Sequence, residues 1–134
     1  MTRMVGIVLI SHSPALAEGA AELARAMGVG KAVVEPAGGD VDGGLGTSIE
    51  LVEAAVARAD AGDGVLLLAD LGSSVLTART FIEDAEDAGD VAVFLADAPL
   101  VEGAVAAASM AATGADLAAV RDAAESARDH RKLR

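Results

Sequence analysis

The sequence predicts a parallel α/β fold, with a four-stranded sheet covered by helices on both faces. Two observations predict it: short, continuous apolar runs recur along the chain, and segments with helical periodicity lie between them. Continuous apolar runs are typical of strands buried on both faces, and helical crossovers between such strands make them parallel. The four predicted strands are Val5–Ile10, Lys31–Ala37, Val65–Ala69 and Val91–Ala96.

The first helix is predicted to begin at Pro14, because proline suits the first helical position and Ser13 before it suits the N-cap. Apolar side chains then recur at helical spacing, and glycines at 28 and 30 end the pattern. These apolar positions are Leu16, Ala20, Leu23 and Met27. Gly19 lies inside this helix, where we expect close packing against a neighbour.

A glycine-rich loop at residues 38–46 leads to the second helix. The spacing from Thr47 to Glu50 is that of a capping box, which places the N-cap at Thr47. The predicted buried stripe of this helix is Ile49, Val52, Val56 and Ala59.

The third helix follows the sequence DLGSS at residues 70–74 and runs to about Ala88, with an acidic outer face. After Pro99 come two alanine-rich helices, separated near Thr113 and Gly114. We therefore expect one domain over residues 1–125 and a charged tail over residues 126–134, in which His130 is solvated.

Composition limits the classes of function. The formal net charge is −11, divided between −13 for residues 1–120 and +2 for the last 14 residues, so nucleic acid is an unsuitable partner for the body of the domain. Cysteine, tyrosine and tryptophan are absent, which excludes disulfides and thiolate metal sites. The first apolar stretch is too short for a signal-peptide core or a membrane span, so we expect a cytoplasmic protein without a membrane partner.

Polar side chains follow the predicted strands at the carboxyl edge of the sheet, where ligands bind in such folds. These polar residues are Ser11, His12, Ser13, Thr47, Ser48, Asp70, Ser73, Ser74 and Asp97, and Gly72 contributes its backbone amide at the same edge. Each has an ordinary structural interpretation: a histidine at a strand end is often simply hydrogen-bonded, glycine loops form turns, and aspartate caps helices. Their convergence on one edge favours a functional site.

This set suits phosphoryl transfer through a histidine. A neutral imidazole is nucleophilic when a carboxylate holds one ring nitrogen and leaves the lone pair of the other free. Helix N-termini, glycine amides and hydroxyls can donate hydrogen bonds to phosphoryl oxygens. The sequence lacks a Walker A motif, a G-x-G-x-x-G motif after the first strand and adjacent carboxylates for magnesium, so we expect neither a bound nucleotide nor a metal.

Three segments in order, VLISHSPALAEG, GGLGTS and VLLLADLGSSVLTAR, resemble the mannose-family IIA domains (EIIA) of the bacterial phosphotransferase system. The runs GTS and DLGSS favour the branch that serves the phosphoenolpyruvate-dependent dihydroxyacetone kinase. The resemblance implies that His12 is phosphorylated and that Asp70 orients it. It also implies that Thr47, Gly72, Ser73 and Ser74 approach the phosphoryl group, with Ser11 and Ser13 flanking the histidine.

The resemblance further implies the partners. The phosphate would come from a separate HPr-type phosphocarrier and pass to ADP held by the nucleotide-binding subunit DhaL, which phosphorylates dihydroxyacetone together with DhaK. The chain itself would bind no cofactor and would form a homodimer. Two alternatives stay open: an EIIA domain of a sugar-transporting permease, and a non-catalytic flavodoxin-like or receiver domain. The last is disfavoured because the first strand ends without an acid and no aromatic side chain lies on a loop suited to flavin.

Overall fold

The computed structural model describes residues 3–89 and 92–133. Four parallel strands form one sheet in the order β2-β1-β3-β4. They are β1 (Gly6–Ser11), β2 (Val33–Gly38), β3 (Val65–Ala69) and β4 (Val93–Leu95). The predicted parallel α/β fold is confirmed, although β4 is shorter than predicted, and Val91 lies outside the described residues.

Helices cover both faces of this sheet. Their bounds are α1 (Pro14–Met27), α2 (Ile49–Ala59), α3 (Ser73–Ala88), α4 (Leu100–Ala111) and α5 (Leu117–Ser126). One apolar cluster joins α1, α4 and α5 to one face, and the other joins α2 and α3 to the opposite face. Every residue of β1 and β3 is buried, which explains why their sequences read as continuous apolar runs.

Two details of the predicted helices are wrong. The N-cap of α2 is Ser48, whose hydroxyl accepts a hydrogen bond from the amide of Leu51, and Thr47 is not the cap. Gly19 does not pack closely, because a Cβ added there would meet no atom within 4 Å. The structure therefore leaves Thr47 available for another contact and gives Gly19 no packing role.

The buried face of α1 also differs from the apolar spacing in its sequence. Ala17, Ala20, Ala21 and Ala24 are buried against the sheet and α4. Leu16, Leu23 and Met27 are 44%, 46% and 53% exposed. Small alanines bring the helix close to its neighbours, so the larger side chains at adjacent positions point outward.

After α5 the chain forms a short 3₁₀ turn at Ala127–Asp129, in which Ala127 is buried. Arg128 pairs with Asp97 at 2.8 Å, and Lys132 pairs with Glu102 at 3.1 Å. The described part of the tail thus lies against the body, and His130 is exposed. Within the described residues, no helix has both the length and the apolar character needed to cross a membrane.

Candidate active site

Strand register brings His12 and Asp70 together. β1 and β3 are neighbours in the sheet, with Ile10 paired to Ala69, so the residues that follow both strands emerge side by side. The amide of Asp70 donates to the carbonyl of Ile10 at 3.0 Å, which extends the pairing by one residue. This is the carboxyl edge of two central strands, where a parallel sheet presents its functional groups.

The Asp70 carboxylate is held by several donors. One oxygen, Oδ2, accepts from the Ser11 hydroxyl at 2.9 Å and from the His12 amide at 3.0 Å. The other, Oδ1, accepts from the Leu71 amide at 2.7 Å and lies 3.1 Å from Nδ1 of His12. The Asp70 side chain is only 12% exposed, and these hydrogen bonds fix its orientation.

These contacts decide the charge of Asp70. Burial by itself raises the pKa of the carboxyl group, but hydrogen bonds from the Ser74 hydroxyl, the amides of His12 and Leu71, and the Ser11 hydroxyl together lower it far below the usual range. Asp70 is therefore ionised at neutral pH, and it is an acceptor only.

The hydrogen bonds of His12 assign its tautomer. An ionised carboxylate can only accept, so Nδ1 carries the proton that is donated to Asp70. The other nitrogen, Nε2, lies 2.8 Å from Oγ of Ser73, whose hydroxyl donates to it. The His12 side chain is 32% exposed, so the imidazole is partly open to solvent.

The turn between β3 and α3 places both serines beside the imidazole. Gly72 has φ +51° and ψ −119°, a conformation essentially restricted to glycine, and Ser73 is the first residue of α3. Ser74 is fully buried, with its hydroxyl oxygen 3.3 Å from Nδ1 of His12, whereas Ser73 is exposed. The positive end of the α3 dipole thus faces the site.

The glycine-rich loop lies against the same histidine through its backbone. The amide of Gly46 donates to the carbonyl of His12 at 2.9 Å. Thr47 follows, and its hydroxyl accepts from Thr77 of α3 at 3.1 Å; it makes no hydrogen bond to the imidazole. Thr77 escaped the sequence analysis, although its position four residues after Ser73 places it on the same helix face.

Of the remaining candidate residues, one supports the histidine loop and another makes no hydrogen bond to His12. Ser13 donates its amide to Ser11 and accepts the Leu16 amide as the N-cap of α1, so it stabilises the histidine loop without touching the ring. Asp97 pairs with Arg128 and makes no hydrogen bond to His12. Across residues 3–89 and 92–133, no group of three histidine, aspartate or glutamate side chains is arranged to hold a metal ion.

Comparison with known proteins shows the family of the chain. Residues 6–121 match the EIIA-man family model, described as the PTS system fructose IIA component. This match covers most of the chain, including His12, Asp70 and both serines of α3. The chain belongs to the EIIA-man family.

Its curated relatives are DhaM subunits of dihydroxyacetone kinases, described as phosphoryl donor or phosphotransferase subunits. The chain is 41% identical to the DhaM subunit of a PEP-dependent dihydroxyacetone kinase from Pantoea ananatis over 92% of its own length, and it spans 27% of that relative. It is 35% identical to the DhaM subunit of Lactococcus lactis, with 90% of this chain and 93% of that one covered. These matches put the chain in the DhaM branch of the family.

A solved structure shares the fold closely. The crystal structure of a protein of unknown function, EF1359, superposes with a TM-score of 0.81 at 32% identity, covering 91% of this chain and 93% of the other. The sheet and its helices are thus a recurrent arrangement, and the match extends over nearly the whole domain.

Proposed function

We propose that this chain is the phosphohistidine carrier of a PEP-dependent dihydroxyacetone kinase. His12 accepts a phosphoryl group from an HPr-type phosphocarrier and passes it to ADP held by the DhaL subunit, which acts with DhaK on dihydroxyacetone. The observation that carries the proposal is the polarised imidazole: Nδ1–H is held by an ionised carboxylate, and the lone pair of Nε2 faces the exposed Ser73 hydroxyl.

In the accepting step, the Nε2 lone pair of His12 attacks the phosphorus of the donor's phosphohistidine. A new N–P bond forms at Nε2 while the donor's N–P bond breaks, and the electron pair of that bond returns to the donor's imidazole. The His12 ring becomes a phosphoimidazolium, and Asp70 stabilises the positive charge that develops on it. Transfer to ADP is the same step with His12 as the leaving group.

The surrounding donors suit the phosphoryl oxygens. Ser73 must release Nε2 before attack, and its hydroxyl is then placed to donate to an oxygen of the incoming group. The N-terminus of α3 adds its positive dipole end at the same position. Gly72 permits this close approach because it has no side chain, and Thr47 borders the site from the opposite loop.

The names of the relatives support the choice of recipient, since several DhaM subunits of dihydroxyacetone kinases are 35% to 41% identical to this chain over the aligned residues. ADP would be bound by DhaL and not by this chain. We further propose that the working form is a homodimer, which light scattering of the purified chain would test, and that it resides in the cytoplasm.

Phosphohistidine mapping tests the acceptor. The chain is incubated with labelled phosphoenolpyruvate, enzyme I and an HPr-type carrier, and the acid-labile phosphate is located by mass spectrometry. His12→Ala should abolish labelling, and the matched control His130→Ala should retain it because His130 is an exposed histidine outside the site. Labelling that survives His12→Ala would overturn the mechanism.

A second measurement tests the recipient. The labelled chain is isolated and mixed either with DhaL holding ADP or with a IIB domain of a sugar-transporting permease, the recipient under the alternative function. We expect rapid loss of label to ADP and none to the IIB domain. The opposite result would keep the His12 chemistry and replace the kinase assignment with sugar transport.

A further inference from the structure

A second cleft lies beside the phosphoryl site, on the other side of Asp70. Its volume is about 570 Å³, within the range of small-molecule sites. It opens at the carboxyl ends of β3 and β4, whereas the His12 site lies at β1 and β3. Its lining comes from the end of β3, from α3, from the segment after β4 and from α5. The proposed phosphoryl transfer makes no use of it.

Two arginines line this cleft from opposite walls. Arg79 lies on α3 and Arg121 on α5, in a chain that has only 10 basic residues against 21 acidic ones. Within the described residues, Arg79 makes no ion pair or hydrogen bond through its side chain. The Arg121 guanidinium lies 5.2 Å from the centre of the Phe94 ring, a cation–π contact that restrains its plane.

Arg121 also has unused donors. Its ion pair with Glu125 involves Nε alone, at a long distance of 3.4 Å, and the same carboxylate oxygen already accepts the Asp97 amide at 2.8 Å. A guanidinium has five N–H donors in a planar fork, so the terminal nitrogens of Arg121 stay available to a ligand.

The acidic side chains of the cleft are engaged elsewhere. Asp70 directs its carboxylate at Ser11, His12 and Leu71. Asp97 pairs with Arg128 at 2.8 Å, and its side chain is 88% exposed. Asp70 keeps its negative charge while it accepts these bonds, so the two arginines, which are the cations of the lining, attract an anion against the field of Asp70.

We propose that this cleft is a second binding site, which takes a small phosphorylated molecule through Arg79 and Arg121. A tetrahedral phosphate dianion can accept paired N–H bonds from two guanidiniums that approach from different sides. Asp70 forms part of the wall of both the cleft and the His12 site, so the occupant lies next to the phosphoryl-transfer machinery.

The test is a titration of the uniformly ¹⁵N-labelled chain with inorganic phosphate at constant ionic strength, followed by NMR. Saturable shifts are expected at the Arg79 and Arg121 side chains and at the amides of residues 96–98. Arg79→Gln and Arg121→Gln should each weaken binding about tenfold, the scale of one lost charge-assisted contact. Lys31→Gln is the matched control, because it removes one positive charge from an exposed position outside the cleft.

Three outcomes would overturn the site. Equal binding by Lys31→Gln and both arginine variants would mean general attraction to the surface. Binding lost in His12→Ala but kept in Arg79→Gln would place phosphate at the phosphoryl site instead. Absence of saturable shifts would mean no site. Melting temperatures are measured for each variant, and Arg79→Gln is decisive if Arg121→Gln unfolds, because the Arg79 side chain makes no hydrogen bond or ion pair within the described residues.

Discussion

At the scale of single residues, the proposed chemistry rests on the pair His12 and Asp70. The 3.1 Å contact between Nδ1 and Oδ1 fixes the tautomer, and the amides of His12 and Leu71 hold the carboxylate in place. Asp70 does not act as the N-cap of α3, because that position is Gly72 and no side chain caps the helix. The capping interpretation of Asp70 therefore loses its structural basis, and an orienting role stays as the proposal.

Asp70→Asn should slow phosphorylation of His12 by roughly two to four powers of ten, as for other orienting carboxylates. The amide keeps the shape but lacks the negative charge that stabilises the phosphoimidazolium, and its NH₂ group can favour the wrong tautomer. The measurement is the rate of labelling by a phosphorylated HPr-type carrier. A rate near that of the parent chain would remove Asp70 from the mechanism, and Asp70→Ala would then differ only in melting temperature.

The low pKa of Asp70 also predicts a dependence of stability on pH. Hydrogen bonds to the ionised carboxylate stabilise the fold above the unfolded-state pKa of 3.8, and this contribution is lost as the pH falls toward the lower folded-state pKa. The difference in unfolding free energy between the parent and Asp70→Asn should therefore be constant near neutral pH and shrink below about pH 4. Urea titrations at several pH values measure it. A difference that is unchanged at acid pH would contradict the prediction.

At the scale of elements, the turn from β3 to α3 controls where the serines lie. Gly72→Ala should cost about 1–3 kcal/mol, because alanine strongly disfavours φ +51° with ψ −119° even though space is available for its Cβ. Relaxation of this turn would shift Ser73 and Ser74 away from the imidazole, so labelling of His12 should slow as well. Chemical denaturation and the labelling rate measure the two effects.

Gly19→Ala is the matched control for that variant. Gly19 is exposed within α1 and also has open space around it, but it has helical geometry, so alanine should stabilise the chain by about 1 kcal/mol. The labelling rate should be unchanged, since Gly19 has no contact with the site. If both glycine variants slowed labelling equally, the turn at Gly72 would have no special role.

The elements differ in how well the sequence predicts them. β1, β3 and the end of α3 at Ala88 follow from buried apolar runs and from helical periodicity. The sequence does not decide between Thr47 and Ser48 as the N-cap of α2, because both residue types are good caps. The contact of Thr47 with Thr77 of α3 decides between them. The exposure of Leu16 and Leu23 likewise depends on which alanines pack against α4, and sequence spacing alone does not encode that choice.

The site was more predictable than these details. Residues that follow adjacent parallel strands converge by topology, so His12, Asp70 and the two serines of α3 could be grouped before the structure was known. The hydrogen-bond partners of these residues could not be predicted, since the contact of His12 Nε2 with Ser73 depends on the rotation of side chains and on the conformation of Gly72. The spacing of Thr77 from Ser73 does place it on the same helix face, but its contact with Thr47 depends on how the glycine-rich loop folds.

At the scale of the whole molecule, an acidic domain presents exposed apolar side chains on the elements that hold His12. Leu45, Leu71 and Leu76 are 78%, 66% and 64% exposed. We call these three residues the apolar rim, because they belong to the glycine-rich loop and to the turn and helix that hold the histidine site. A phosphocarrier docking on His12 would meet this rim and the field of a body with net charge −13 over residues 1–120.

Salt should therefore slow phosphoryl transfer from a phosphocarrier whose docking face is basic. Charges on two separate surfaces attract one another over about 10 Å at low salt and are screened at higher ionic strength, so the second-order rate should fall about tenfold or more as salt rises. Contacts of the apolar rim are much less sensitive to screening. Leu71→Ser should consequently reduce the rate at every salt concentration and leave its salt dependence intact.

The same acidic charge acts within the chain, and this effect has to be separated from docking. Self-repulsion of like charges destabilises the fold at low salt, so a chain adapted to a salt-rich cytoplasm would gain melting temperature as salt is added. Measuring the transfer rate and the melting temperature across one salt series distinguishes the two. A falling rate with a constant melting temperature supports steering of the partner. A constant rate contradicts steering, and a rise in both quantities means that salt acts first on the stability of the acidic domain.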